Sequence, residues 1–223
     1  GETVTCTATP SDGTDDGEPL SASVTVANTP PSVDLLELLP ETAGTDGLFS
    51  ATAEVSDVDG DAVSLRYDWY VDGELAKSGP GSSLDGRLDF SKGQQIHVVA
   101  TPSDGTEEGV GVVSGLRTVS NTLPEVLLAQ LAPTPAHTDE ELTVGLVATS
   151  DADGDSVTLA YQWYLDGVLV QDGGDSSLDA GIHVHGQLVT VEVVPHDGEE
   201  YGESYSAGPL EISNRLPVVE SLA

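Results

Sequence analysis

The residues best suited to chemistry lie in two loops. Asp57-Val58-Asp59-Gly60-Asp61 and Asp151-Ala152-Asp153-Gly154-Asp155 repeat the pattern Asp-x-Asp-Gly-Asp, 94 residues apart. Three carboxylates on alternate residues, with a glycine permitting a sharp turn, supply the oxygen donors that a hard cation takes. Calcium gathers about six to eight such oxygens from side chains, carbonyls and water. One loop alone reads equally well as an ordinary Asp-Gly turn with solvated charge. Its recurrence in fixed register, with further polar residues in step, favours calcium.

The elements that must position these carboxylates repeat with them. Each loop runs into an aromatic strand, Tyr67-Asp68-Trp69-Tyr70-Val71 in one case and Tyr161-Gln162-Trp163-Tyr164-Leu165 in the other, with the tryptophans again 94 residues apart. The second half of the unit occurs three times. Asp12, Asp104 and Asp197 coincide in it, each followed by glycine, and so do Asn28, Asn121 and Asn214, the only asparagines in the chain. Self-similarity of this kind marks a tandem array, here with a unit of about 93 residues. The expected divisions are an incomplete repeat at 1–29, complete repeats at 30–122 and 123–215, and the first strand of another at 216–223. That pattern predicts a window on a longer array, with strand addition from a neighbouring copy as the alternative.

Within a unit the pattern is β throughout. Short alternating runs are bounded by Asp-Gly and Pro turns, and Asp72-Gly73 and Asp166-Gly167 read as primed hairpin turns. About seven strands per unit, with a tryptophan in the third, predict an all-β chain of tandem immunoglobulin-like β-sandwiches. Trp69 and Trp163 then belong to the cores, with Tyr67 and Tyr161 on the same strand face two residues earlier.

Composition narrows the function. Six Lys and Arg stand against 39 Asp and Glu, a net charge of −33. Nucleic-acid backbones and anionic membranes call for basic patches, so neither is an expected partner. No stretch has the length and apolarity of a membrane span. Such a charge load also disfavours compact states unless cations relieve it.

The segments Ser56-Asp57-Val58-Asp59-Gly60-Asp61 and Ser150-Asp151-Ala152-Asp153-Gly154-Asp155, each leading to Trp-Tyr-x-Asp-Gly, and the closing Asn-Thr-x-Pro resemble calcium-binding cadherin-like, PKD-like and related Ig-like repeats of bacterial surface proteins. The resemblance implies an extracellular, cell-surface, multidomain protein of adhesive or filament-forming type, with Ca2+ at the domain junctions. In such a sandwich the loop between the second and third strands and the last hairpin share one end. That would gather Asp57, Asp59, Asp61, Asp104 and Asn28 at one junction, and Asp151, Asp153, Asp155, Asp197 and Asn121 at the next. An EF-hand is excluded: no helix flanks either loop, and the twelfth position holds Asp68 or Gln162 instead of glutamate.

Other residues carry less. Cys6 aligns with Val98 and Val191, which predicts a buried thiol in a valine's place. His183 and His185 alternate as a zinc pair on one strand face would, but the matching stretch at 86–93 has no histidine. Glu107-Glu108 and Glu199-Glu200 fall in the last hairpin and are expected to face solvent. No nucleophile stands beside a repeated base, so no enzyme is expected. The leading expectation is a calcium-stiffened structural array forming a stalk, fibre or filament, partnered by adjacent copies or repeats. The alternative is an adhesin or carbohydrate-binding spacer recognising cell-surface glycans, with Tyr201 and Tyr205 as the aromatics to inspect.

Overall fold

The computed structural model describes residues 1–217. The strand expected at 216–223 therefore falls mostly outside the described residues. Two compact units emerge. The first comprises Gly1–Ala43, Gly47–Phe90 and Gln94–Val119; the second gathers Gly44–Asp46, Ser91–Gly93 and the chain from Ser120 onward.

The first unit opens with a hairpin of β1 (Thr3–Ala8) and β2 (Leu20–Thr25). Its register places Val4, Cys6 and Ala8 opposite Val24, Ala22 and Leu20 on one face. Thr3, Thr5 and Thr7 meet Thr25, Ser23 and Ser21 on the other, joined by hydroxyl contacts of 3.4, 2.8 and 2.7 Å. Cys6 is exposed, which corrects the expected buried thiol. The repeat alignment gives the right strand face, but the hairpin belongs to neither hydrophobic core. Nothing among the described residues closes over Val4, Cys6 and Ala8.

The sandwich of the first unit follows. Strands β3 (Ser32–Leu39), β4 (Leu48–Ser56) and β7 (Ser83–Asp85) form one antiparallel sheet. The other sheet contains β5 (Ser64–Val71), β6 (Glu74–Gly79), β8 (Gln95–Ser103), β9 (Val112–Val113) and β10 (Arg117–Thr118). A single helical turn, α1 (Gly86–Asp89), links β7 toward β8. The second unit repeats the plan. Here β11 (Glu125–Ala132), β13 (Leu142–Ser150) and β16 (Ser177–Leu178) form one sheet. The other holds β12 (Ala136–His137), β14 (Thr158–Leu165), β15 (Val168–Gly173), β17 (Leu188–His196) and β18 (Tyr205–Ser213). In each unit the chain crosses between the sheets after β4, β6 and β7, and likewise after β13, β15 and β16, so each sheet joins strands distant in sequence. This is the connectivity of an immunoglobulin-like sandwich, and the fold is all-β as expected.

Period-two alternation sends one face of each strand inward. In the first unit Phe49 and Leu84 from one sheet meet Trp69, Ile96 and Val98 from the other, and all five are fully buried. In the second, Leu142 and Leu178 meet Trp163, Val189, Val191 and Ile212 in the same way. The indole N–H groups donate to the carbonyls of Gly81 and Asp175, at 3.0 and 3.2 Å, so neither buried ring leaves an unpaired donor. Asp72 and Gly73 have φ of 50° and 82°, and Asp166 and Gly167 have 48° and 80°. Positive φ at both central residues is the mark of a type I′ turn. Each turn aspartate also accepts the first amide of the adjoining strand, Gln95 at 2.8 Å and Leu188 at 3.0 Å.

Replacing Trp163 with alanine is expected to destabilise the second unit by about 3–5 kcal/mol, measured by urea unfolding followed by circular dichroism. A loss below about 1 kcal/mol would contradict its position at the centre of the core.

Candidate cation site

The acidic loops connect β4 to β5 and β13 to β14, and their three aspartates have separate tasks. The first shapes the loop. Asp57 Oδ1 accepts the amides of Asp59 and Asp61 at 2.8 and 3.1 Å; Asp151 Oδ1 accepts those of Asp153 and Asp155 at 2.9 and 3.0 Å. Gly60 and Gly154, at φ of 82° and 79°, occupy backbone conformations that L side chains rarely adopt. The other oxygens of the shaping residues, Asp57 Oδ2 and Asp151 Oδ2, are buried and have no hydrogen-bond partner.

The second aspartate holds the entering chain. Asp59 Oδ2 accepts the amide of Thr29 at 2.7 Å, and Asp153 Oδ2 accepts that of Thr122 at 2.7 Å. The Thr45 hydroxyl donates to the remaining oxygen of Asp153. The third aspartate differs between the loops. The Asp61 carboxylate has no partner among the described residues, whereas Asp155 Oδ2 lies 2.5 Å from Lys92 Nζ.

The hairpin aspartates complete each tip. Asn28 Nδ2 donates to Asp104 Oδ2 at 2.7 Å and to Glu107 Oε2 at 3.3 Å. Asn121 Nδ2 does the same to Asp197 and Glu200, at the same two distances. The other oxygen of each aspartate accepts two amides of its own turn: Thr106 and Glu107 at 2.6 and 2.7 Å, and Glu199 and Glu200 at 2.7 Å each. These donors favour the ionised carboxylate. The Asn28 amide, then the Glu107 and Thr106 N–H groups, hold Asp104 below the usual carboxylate range. The Asn121 amide, then the Glu200 and Glu199 N–H groups, bring Asp197 down to about 2. Glycine at 109 and 202 leaves room for the linker: a Cβ at either place would overlap the carbonyl of Pro31 or Pro124.

At each tip the expected residues meet through the linker: the second loop aspartate takes the Thr29 or Thr122 amide, and the hairpin aspartate takes the preceding asparagine. In the second loop, one carboxylate oxygen from each of Asp151, Asp153 and Asp155 lies within 4.8 Å of the others. Among the described residues no other His, Cys, Asp or Glu group does this, including the Asp57 triad. The asparagines face the carboxylates through their NH2 groups, and Asn121 Oδ1 accepts from Lys92 at 3.0 Å.

Several participants carried no weight in the sequence. Glu107 and Glu200 stand 93 residues apart, a signal available beside the hairpin aspartates. Thr29 and Thr122 act through backbone amides, which no side-chain pattern reveals. Lys92 is unrepeated, and its one signal is scarcity: the chain has only two lysines. The histidine pair does not form a zinc face. His183 and His185 lie in a turn segment, one buried and the other exposed, and His183 Nε2 is 3.0 Å from the Glu140 carbonyl. Tyr201 is 66% exposed and stands edge-on to His196 at 4.3 Å between ring centres; Tyr205 is half-buried in β18.

No known family model matches the chain, and no curated protein does. Solved structures of similar architecture do. Fibronectin(III)-like modules of Clostridium thermocellum CbhA share 19% identity, with 86% of this chain and 100% of theirs covered and a TM-score of 0.30. The N-terminal eight Ig domains of Down Syndrome Cell Adhesion Molecule share 15% identity, over 95% of this chain and 27% of that one, at a TM-score of 0.44. Three N-terminal domains of the bacteriophage RB49 outer capsid protein Hoc share 16%, over 83% and 59%, at 0.30. Likeness at this level says nothing of function, and the architecture rests on the strand pairing given above.

Because the folded state lowers the Asp197 pKa, its ionised form stabilises the fold above the ordinary aspartate value near 4. That contribution is lost as the pH falls from about 4 toward 2. Asn121→Ala removes the foremost cause, so the Asp197 carboxyl, followed by NMR titration, is expected to titrate closer to its ordinary value. An unchanged titration would contradict the assigned hydrogen bond.

Proposed function

We propose that this chain is a non-enzymatic, extracellular segment of a structural Ig-like array, part of a stalk, fibre or filament whose linkers are stiffened by calcium. One observation carries this reading: Asn28-Thr29 and Asn121-Thr122, the residues leading into each sandwich, are clasped by the carboxylates of its acidic tip. A tip that binds its linker has the means to fix the chain's direction there.

The donor set fits calcium. Every candidate ligand atom is a carboxylate or amide oxygen, the donor type that hard cations select. The partnerless buried oxygens of Asp57 and Asp151 support the reading further, because a buried carboxylate oxygen without a donor is costly. Asp57, Asp59, Asp61, Asp104 and Asn28 would hold one ion, and Asp151, Asp153, Asp155, Asp197 and Asn121 the other. Bound calcium supplies charge neutralisation at tips that otherwise place several anions together. Binding the folded tip and not the unfolded chain stabilises the fold by linkage. Extracellular sites need only affinities of about 0.1–1 mM. At tenfold excess over Kd one such site contributes about 1.4 kcal/mol.

A second reading has its own observation. The Tyr201 ring, exposed and braced by His196, is a surface aromatic suited to stacking on a sugar of a cell-surface glycan. On that reading the segment is an adhesive spacer, and adjacent copies are not its partners.

Thermal unfolding in calcium, in magnesium at matched ionic strength, and in chelator separates metal binding from screening. A calcium-specific rise in Tm is expected, reduced in both Asp59→Ala and Asp153→Ala. Equal effects of all salts, with neither variant altering the calcium response, would remove calcium from the account.

A further inference from the structure

The two acidic loops repeat in sequence but not in chemistry. In the second, Lys92 Nζ lies 2.5 Å from Asp155 Oδ2, 2.9 Å from Glu199 Oε1 and 3.0 Å from Asn121 Oδ1. An ammonium has three donors, and all three are engaged. Of the surrounding oxygens of Asp151 and Asp153, all but Asp151 Oδ2 are taken as well. Asp153 accepts Thr122 N and the Thr45 hydroxyl, and Asp151 Oδ1 accepts two loop amides. Among the described residues the Asp57 loop has no such cation. The carboxylate of Asp61, the counterpart of Asp155, has no partner among the described residues, and the hairpins differ, with Thr106-Glu107-Glu108 at one tip and Glu199-Glu200-Tyr201 at the other. Lys92 and the glutamate it reaches, Glu199, therefore have no counterparts at the first tip, where the unmatched Glu108 instead pairs with Arg66 at 2.8 Å.

We infer that Lys92 is a tethered cation that holds the second acidic loop closed until calcium displaces it, so that the Asp57 loop binds calcium first. This rests on the calcium reading above. Calcium needs several of the oxygens that the ammonium holds, and two cations cannot share Asp155 Oδ2 without strong repulsion at that separation. The metal must therefore displace Lys92, while the ammonium is supplied at a high effective concentration by its own chain. The same competition accounts for a lysine, otherwise scarce in a chain of net charge −33, being placed against three oxygens at the loop whose three carboxylates converge within 4.8 Å.

Calcium titration calorimetry on the intact chain, with Lys92→Gln and Asp61→Asn alone and combined, tests the inference. Glutamine keeps most of the side-chain stem and removes the charge; Asn at 61 keeps the backbone amide that bonds Asp57 and alters only a carboxylate without a partner. The wild type is expected to bind one equivalent tightly and a second at least tenfold more weakly. Asp61→Asn should weaken the first, and Lys92→Gln should tighten the second at least tenfold, a gain that persists in the double variant. Two equivalents of equal affinity, unmoved by Lys92→Gln, would overturn the inference. If no variant binds calcium, the calcium reading fails by itself, and melting in chelator judges the lysine. A lower Tm for Lys92→Gln upholds it as the loop's own cation, and an unchanged Tm rejects that role.

Discussion

A carboxylate placed near other carboxylates persists in a folded protein only if donors or cations surround it, and the tips of these sandwiches are built around that requirement. A chain entering a sandwich beside a proline has the complementary problem. Its amides have no strand to pair with, and must find side chains or water instead. Here each need answers the other. Asp59 and Asp153 take the linker amides, and Asp104 and Asp197 take the linker asparagines. The asparagine amide offers donors without adding charge, which suits an already anionic tip.

The sandwich makes this arrangement possible. Two sheets packed around Trp69 or Trp163 fix the strand ends, so the acidic loop and the last hairpin of a unit reach the same linker. Glycine in that hairpin lets the linker backbone lie against it, since any side chain at Gly109 or Gly202 would strike a proline carbonyl. Core packing and tip chemistry are thus one construction: displacing the tryptophan strand would move the acidic loop that leads into it.

Much of this was legible in the residues. The repeated Asp-x-Asp-Gly-Asp, the step between tryptophans, and the confinement of asparagine to one repeat position led to the sandwich and to the residues that meet at its tip. The Asp-Gly hairpins were legible because their positive φ limits which residues can stand there. What escaped notice obeys a different logic. Cys6 lies on the strand face its alignment assigns, but burial depends on a covering sheet, which a strand's own sequence does not report. His183 and His185 look like a strand pair by alternation, yet glycines on either side, Gly181 and Gly186 at φ of 87° and 86°, turn the segment. Lys92 escaped because repeats reveal what recurs, and it does not recur.

The linker clasp is the contact on which both tips depend, and amide hydrogen exchange reads it residue by residue. Thr29 and Thr122 lie outside every strand, so an unclasped linker would exchange at the rate of an open chain. Protection of both amides, lost at Thr29 in Asp59→Ala and at Thr122 in Asp153→Ala, is the predicted result. Exchange at open-chain rates in the unaltered protein would contradict the account, because the acidic loops would then hold nothing but their own turns.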